Sequence, residues 1–307
     1  MNKIECFKIR ILECKGGNVW DIGAHQPLHD ILCDHFSLSL NPVTIVADPF
    51  LFTDGERLFL FYEEKRNYTP GVICMTSTVD LMHWTEPVIV LKENFHLSYP
   101  FVFEDHGSVY MIPETSDIGD IRLYKADNKE LNSFSLYKTL IPKEVTDTEI
   151  GFADTSVFKI DDTYYLMSSI ERQRTNYLYL YYAYQADGPY LEHPCSPICV
   201  SSKYGRNGGG ILSFGGKVYR VAQDCEVRYG DNVHLFEIDE LNTSSYQEHL
   251  FKSDVIPTNV SFYREGGHQF HYIEFKGKTI IATDAKEYQS LAICRGIHKF
   301  GQILSKL

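Results

Sequence analysis

Asp48, in Ala47-Asp48-Pro49-Phe50, and Asp154, in Phe152-Ala153-Asp154-Thr155-Ser156, each stand just before an apolar run. Each run leads into a turn and a second apolar run, the pattern of a β-hairpin with one carboxylate at its mouth. Two carboxylates brought together from separate hairpins can do acid–base work on a sugar linkage, one of them activating a nucleophile. A single Asp at a strand start is commonly a cap. Two at equivalent places in a repeat carry more weight.

The elements that must position them recur. Hairpin patterns return at Ser98–Glu114, Phe152–Met167, Gly208–Val221 and Gly267–Ile281, with turns at Gly55, Gly107, Asp162, Gly216 and Gly277, about 52 to 61 residues apart. Strand-like runs such as Gly71–Ser77, Ile121–Ala126 and Leu178–Ala183 lie between them. Four strands per unit predict an all-β chain: a five-bladed β-propeller with four-stranded antiparallel blades around a central funnel. Closing the ring protects most sheet edges. Residues 1–45 read as an N-terminal lead-in, either a closing strand or a rim, and 46–307 as the propeller, a single domain overall.

The residue just before each innermost strand faces the funnel. At that position the units offer Asp48, Ser98 or Tyr99, Asp154, Arg206 or Asn207, and His268. Glu114 and Asp224 follow the second and fourth hairpins and are further carboxylates within reach, or else structural groups at strand ends. Arg206 either meets anionic charge or holds Asp154 or Asp48 in an ion pair. Gly208-Gly209-Gly210 offers backbone amides, or relieves crowding near the axis. His268 is equally readable as a satisfied buried imidazole. No metal and no cofactor are expected.

Composition narrows the partners. The net charge of -12 argues against a nucleic-acid partner. The 21 Tyr suit β-strands first and a sugar-binding cleft second. The N-terminus has no apolar h-region, and no stretch approaches a membrane-spanning length. The 8 Cys include no Cys-x-x-Cys and no zinc spacing. Reduced thiols and a cytoplasmic location are expected.

The motifs around Asp48, Asp154 and Gly267-His268-Gln269 resemble the blade starts of glycoside hydrolase family 43 and its furanosidase relatives. Ser77-Thr78-Val79-Asp80-Leu81-Met82-His83-Trp84 approximates a blade signature of that group. A closer likeness is to the family 43-like domain of bacterial polysaccharide clusters and plant glucosamine inositolphosphorylceramide transferases. It is carried by His96-Leu97-Ser98-Tyr99-Pro100, Met111-Ile112-Pro113-Glu114-Thr115-Ser116, Asp187-Gly188-Pro189-Tyr190, Arg206-Asn207-Gly208-Gly209, Gln223-Asp224-Cys225 and Tyr229-Gly230. It covers roughly residues 20–285.

The resemblance implies Asp48 as base, Asp154 as the group that orients and tunes, and a Glu acid near the fourth unit. That unit begins Gly205-Arg206-Asn207-Gly208, without a Glu. A phosphate-activated sugar leaves as a stabilised anion and needs no acid, so the pattern favours glycosyl transfer from an activated sugar in surface-polysaccharide or glycolipid synthesis. Association with polysaccharide-assembly enzymes would follow. Two alternatives stand: a hydrolase of the arabinofuranosidase/xylosidase type with Glu114 or Asp224 as acid, and a non-catalytic glycan-binding propeller. In each, Tyr99, Arg206, Asn207, Asp224 and His268 are candidate substrate contacts.

Overall fold

Long apolar runs with short turns leave little room for helices. The computed structural model describes residues 3–33, 42–143 and 151–290; Leu40, Asn41 and Cys294 lie outside them. Two strands come first, β1 (Lys3–Glu13) and β2 (Gln26–Ile31). Then follow β3 (Val43–Thr53), β4 (Leu58–Arg66), β5 (Val72–Thr78) and β6 (Val88–Leu91). Next are β7 (Ser98–Asp105), β8 (Ser108–Glu114), β9 (Ile121–Ala126) and β10 (Phe134–Ile141). The third group is β11 (Ala153–Ile160), β12 (Thr163–Arg172) and β13 (Thr175–Ala183), with the short β14 (Leu191–Glu192) and β15 (Cys199–Val200) both paired to β13. The fourth is β16 (Arg206–Phe214), β17 (Lys217–Gln223), β18 (Val233–Leu241) and β19 (Tyr246–Lys252). Last come β20 (Phe270–Phe275) and β21 (Lys278–Ser290). The other described elements are two 3-10 turns, Ile22–Ala24 and Ser261–Tyr263. No helix among the described residues is long and apolar enough to cross a membrane.

Consecutive strands pair antiparallel within each group, apart from β15, which returns to β13, so each is built as a meander. The lead-in completes the last one. β1 pairs with β21 from Lys3↔Ser290 to Glu13↔Ile280, and β2 pairs with β1, which makes the order β20-β21-β1-β2. A parallel bridge, Phe7↔Ile45, joins that unit to β3.

The middle strands read as unbroken apolar runs because both of their faces are covered. Leu58-Phe59-Leu60-Phe61-Tyr62 on β4 is buried throughout, whereas Ser135–Thr139 on the outer strand β10 is exposed. The core is a set of clusters between neighbouring sheets. Ile9, Ile11, Leu60 and Ile280 pack together, as do Phe61, Ile73, Met111 and Phe134. Trp20 from the lead-in packs with Tyr219, Phe270 and Ile281. The hairpin turn at Gly55 is closed by Asp54, whose Oδ1 accepts from the backbone N–H groups of Glu56 and Arg57.

One device recurs at the inner strands. Pairing of β3, β7, β11 and β16 with the next strand slips between Ala47 and Phe50, Ser98 and Phe101, Ala153 and Ser156, and Asn207 and Ile211. Three of these bulges hold a non-glycine residue in left-handed backbone: Asp48 at φ 54°, Tyr99 at 45° and Asp154 at 52°. Such backbone costs of order 1 kcal/mol or more per residue. Its repetition turns equivalent residues toward one place.

Candidate active site

The bulges of β3 and β11 aim Asp48 and Asp154 inward, and both carboxylates are buried. Each carries a cation. Asp48 Oδ1 lies 3.0 Å from His268 Nε2, and Asp48 Oδ2 accepts from the Tyr99 backbone N–H at 3.0 Å. Asp154 Oδ2 accepts from Arg206 Nε at 2.5 Å and from Gln223 Nε2 at 3.1 Å. Arg206 also reaches Glu114 Oε2 at 3.4 Å, while Glu114 Oε1 accepts from Ser116 Oγ at 2.7 Å. The two readings of Arg206 thus resolve toward the ion pair: its guanidinium is held between Asp154 and Glu114, above the ring of Tyr229.

A cavity of about 150 Å³ opens here, lined among others by Asp48, Glu63, Lys65, Glu114, Arg206 and His268. Three expected contacts have other work. Tyr99 is a strut: its hydroxyl donates to the Gly209 carbonyl at 2.5 Å and lies 3.0 Å from Ser156 Oγ. Asn207 turns its Nδ2 onto the carbonyls of Asp154 (2.8 Å) and Met167 (3.3 Å), tying β16 to β11 and β12. Asp224 does not line the cavity and pairs with His234 at 3.2 Å and Lys203 at 3.8 Å.

Burial governs the electrostatics. It raises Asp154 well above the ordinary carboxyl range against the pull of Arg206, and the charges of Glu114 and Asp48 push the same way. Burial alone would discharge His268. Asp284, at 2.9 Å from Nδ1, and Asp48 at Nε2 outweigh it and hold the imidazole protonated well above its usual range. Asp284 also accepts from the backbone N–H groups of His268 and Gln269. Asp48, His268 and Asp284 place three ligand-type atoms within 4.8 Å of one another. Both imidazole nitrogens already face carboxylate oxygens, so the ring is engaged by ion pairs within the cluster.

Glu63, Lys65 and Asp284 carried no role in the sequence reading. Glu63 is buried, and burial followed by the Asp48 charge raises its pKa well above the usual value. Its one signal was position: it sits across from Ala47, next to Asp48, in the first hairpin. Asp284 had a clearer signal, a carboxylate inside the apolar run Ile280-Ile281-Ala282-Thr283-Asp284-Ala285.

Residues 9–279 match the family described as glucosamine inositolphosphorylceramide transferase 1, N-terminal. The chain belongs to that family. It is 32% identical over 249 residues to glucosamine inositolphosphorylceramide transferase 1 of Arabidopsis thaliana, covering 79% of this chain and 32% of the relative. Against the protein of the same name from Oryza sativa subsp. japonica it is 37% identical over 217 residues, covering 67% and 28%. The chain therefore spans about a third of the length of these curated relatives.

Among solved structures it is similar to an α-L-arabinofuranosidase from Clostridium thermocellum, with a TM-score of 0.56 at 15% identity, covering 76% of this chain and 80% of that one. A family 117 glycoside hydrolase from Zobellia galactanivorans gives 0.55 at 14%, covering 92% and 90%. At such identities the likeness shows the fold alone: the chain has the propeller fold of these glycoside hydrolases.

Proposed function

We propose that the chain is a five-bladed propeller catalysing glycosyl transfer from an activated sugar, in glycolipid or surface-polysaccharide synthesis. In this reading β20-β21-β1-β2 is the fifth blade and the ring closes at the Phe7↔Ile45 bridge. Asp48 is the general base. It takes the proton of an acceptor hydroxyl, the oxygen attacks the anomeric carbon, and the bond to the leaving phosphate oxygen breaks, releasing an anion. His268 and the Tyr99 N–H hold the carboxylate in place, and Arg206 orients Asp154 and Glu114 rather than binding the substrate.

The observation that carries this reading is the charge lining the cavity. Lys65 makes no ion pair among the described residues, while Arg206 stands where a hydrolase needs its acid. An unpaired ammonium beside a base suits a phosphate leaving group. The names of the relatives, transferases acting in glycolipid synthesis, agree.

One observation favours a hydrolase instead: Glu63, a cavity-lining carboxyl with a raised pKa, has the character of a general acid. The test compares rates on an alkyl furanoside, a dinitrophenyl furanoside, and a panel of nucleotide sugars with a glycan acceptor. The transfer reading expects the alkyl furanoside to react slowest by two or more orders of magnitude, since an alkoxide leaves far less readily than a phosphate or a dinitrophenolate. Brisk alkyl-furanoside cleavage, lost in Glu63→Gln or Glu114→Gln, would make the chain a hydrolase.

A further inference from the structure

One wall of the cavity is built from groups with unspent hydrogen-bonding capacity. Glu63 and Lys65 are two residues apart on β4, so both side chains project from the same face. Their partners on β3 are Ala47 and Ile45, which puts them alongside Asp48. His96, just before β7, completes the wall. Its Nδ1 accepts the Gly71 backbone N–H at 2.9 Å, so the neutral ring carries its proton on Nε2. That nitrogen faces Glu63 Oε1 at 3.4 Å. Glu63 is 5% exposed, and its Oε1 has no hydrogen-bond partner among the described residues. A buried oxygen without a partner is expensive unless a ligand supplies one.

We propose that Lys65, His96 and Glu63 form a phosphate-binding subsite, receiving the leaving phosphoryl group of an activated sugar as Asp48 receives the acceptor's proton. The proposal rests on the transfer reading and deepens it. Lys65 supplies a charge-assisted donor, His96 an N–H, and Glu63 an O–H when it carries its proton. Protonation of Glu63 is favoured by its burial and by the negative charge of Asp48. The charged and titratable groups around Glu63 are Asp48 on β3, Lys65 on β4, Glu114 on β8, His96 before β7 and His268 before β20.

Calorimetric titration of the full chain with sodium sulfate and with inorganic pyrophosphate, at pH 6 and pH 8.5, tests this. Sulfate does not titrate in that range, so a change in its affinity reports the protein. Both anions should bind. Lys65→Gln should weaken binding roughly tenfold or more, the loss of a hydrogen bond to a charged group, and Lys65→Arg should largely restore it. Wild-type sulfate affinity should fall with rising pH as Glu63 loses its proton, a loss that burial and the Asp48 charge move to higher pH than for an ordinary glutamate. Glu63→Gln, which keeps a neutral donor, should still bind at pH 6 and lose that pH dependence. Absence of binding to the folded wild type, unchanged affinity in Lys65→Gln, or abolished binding in Glu63→Gln would each overturn the subsite. Transfer is measured separately. Anion binding with no transfer from any nucleotide sugar would sink the transfer reading and leave the subsite standing. Glycan turnover without anion binding would remove the subsite alone.

Discussion

Asp48 is held by an imidazole that is itself held by Asp284. With its pKa raised, His268 stabilises the fold fully below the ordinary histidine value of 6.5, and that stabilisation is lost as pH rises through the raised folded value. Nitrogen NMR at pH 7.5 should therefore find both His268 ring nitrogens protonated, and Asp284→Asn should release one proton; a neutral ring in the wild type would contradict the assignment. Arg206 has a comparable structural burden. Arg206→Ala leaves Asp154 and Glu114 facing each other without their cation and should cost about 3 kcal/mol or more in urea unfolding. A loss below about 1 kcal/mol would mean that Arg206 does not hold the pair. Asp48 and Asp154 were legible in the sequence because they recur at one repeat position. Lys65 was not, because a lysine near the end of a strand reads as an ordinary solvated residue, and only pairing with β3 reveals what it faces.

The inner-strand bulge is the element that converts a repeat into a site. It appears in four strands, and in β16 its left-handed aspartate or tyrosine is replaced by the glycine run. A Cβ at Gly209 would sit 2.1 Å from the Phe270 carbonyl oxygen, a backbone atom that cannot swing away. Gly209→Ala should therefore destabilise by about 2 kcal/mol or more and weaken the Tyr99 strut, seen as a lower urea midpoint. An unchanged midpoint would show that β16 and β20 can separate freely. Of the two explanations offered for the glycines, crowding is the one these distances support. The hairpins themselves were readable from turn residues and apolar runs. The bulges were not, since a register slip of this kind leaves no mark in hydrophobic pattern.

At the scale of the molecule, chain ends far apart in sequence share one sheet. The spacing of the hairpins exposed the repeat, yet the lead-in between residues 1 and 45 looked irregular, because β1 finds its long antiparallel partner in β21 at the far end of the sequence, and β2 pairs only with β1. Removing residues 1–14 would strip β21 of one of its two partners and uncover Ile280 and Ala282, so a chain starting at Lys15 should lose cooperative thermal unfolding. A sharp transition near the wild-type temperature would show that β1 is dispensable. The most direct test is the rate of glycosyl transfer by Asp48→Asn beside wild type, with the best nucleotide sugar and acceptor pair and with circular dichroism confirming the fold. Loss of at least about a hundredfold with a native spectrum is the predicted result; a near-normal rate would contradict the account.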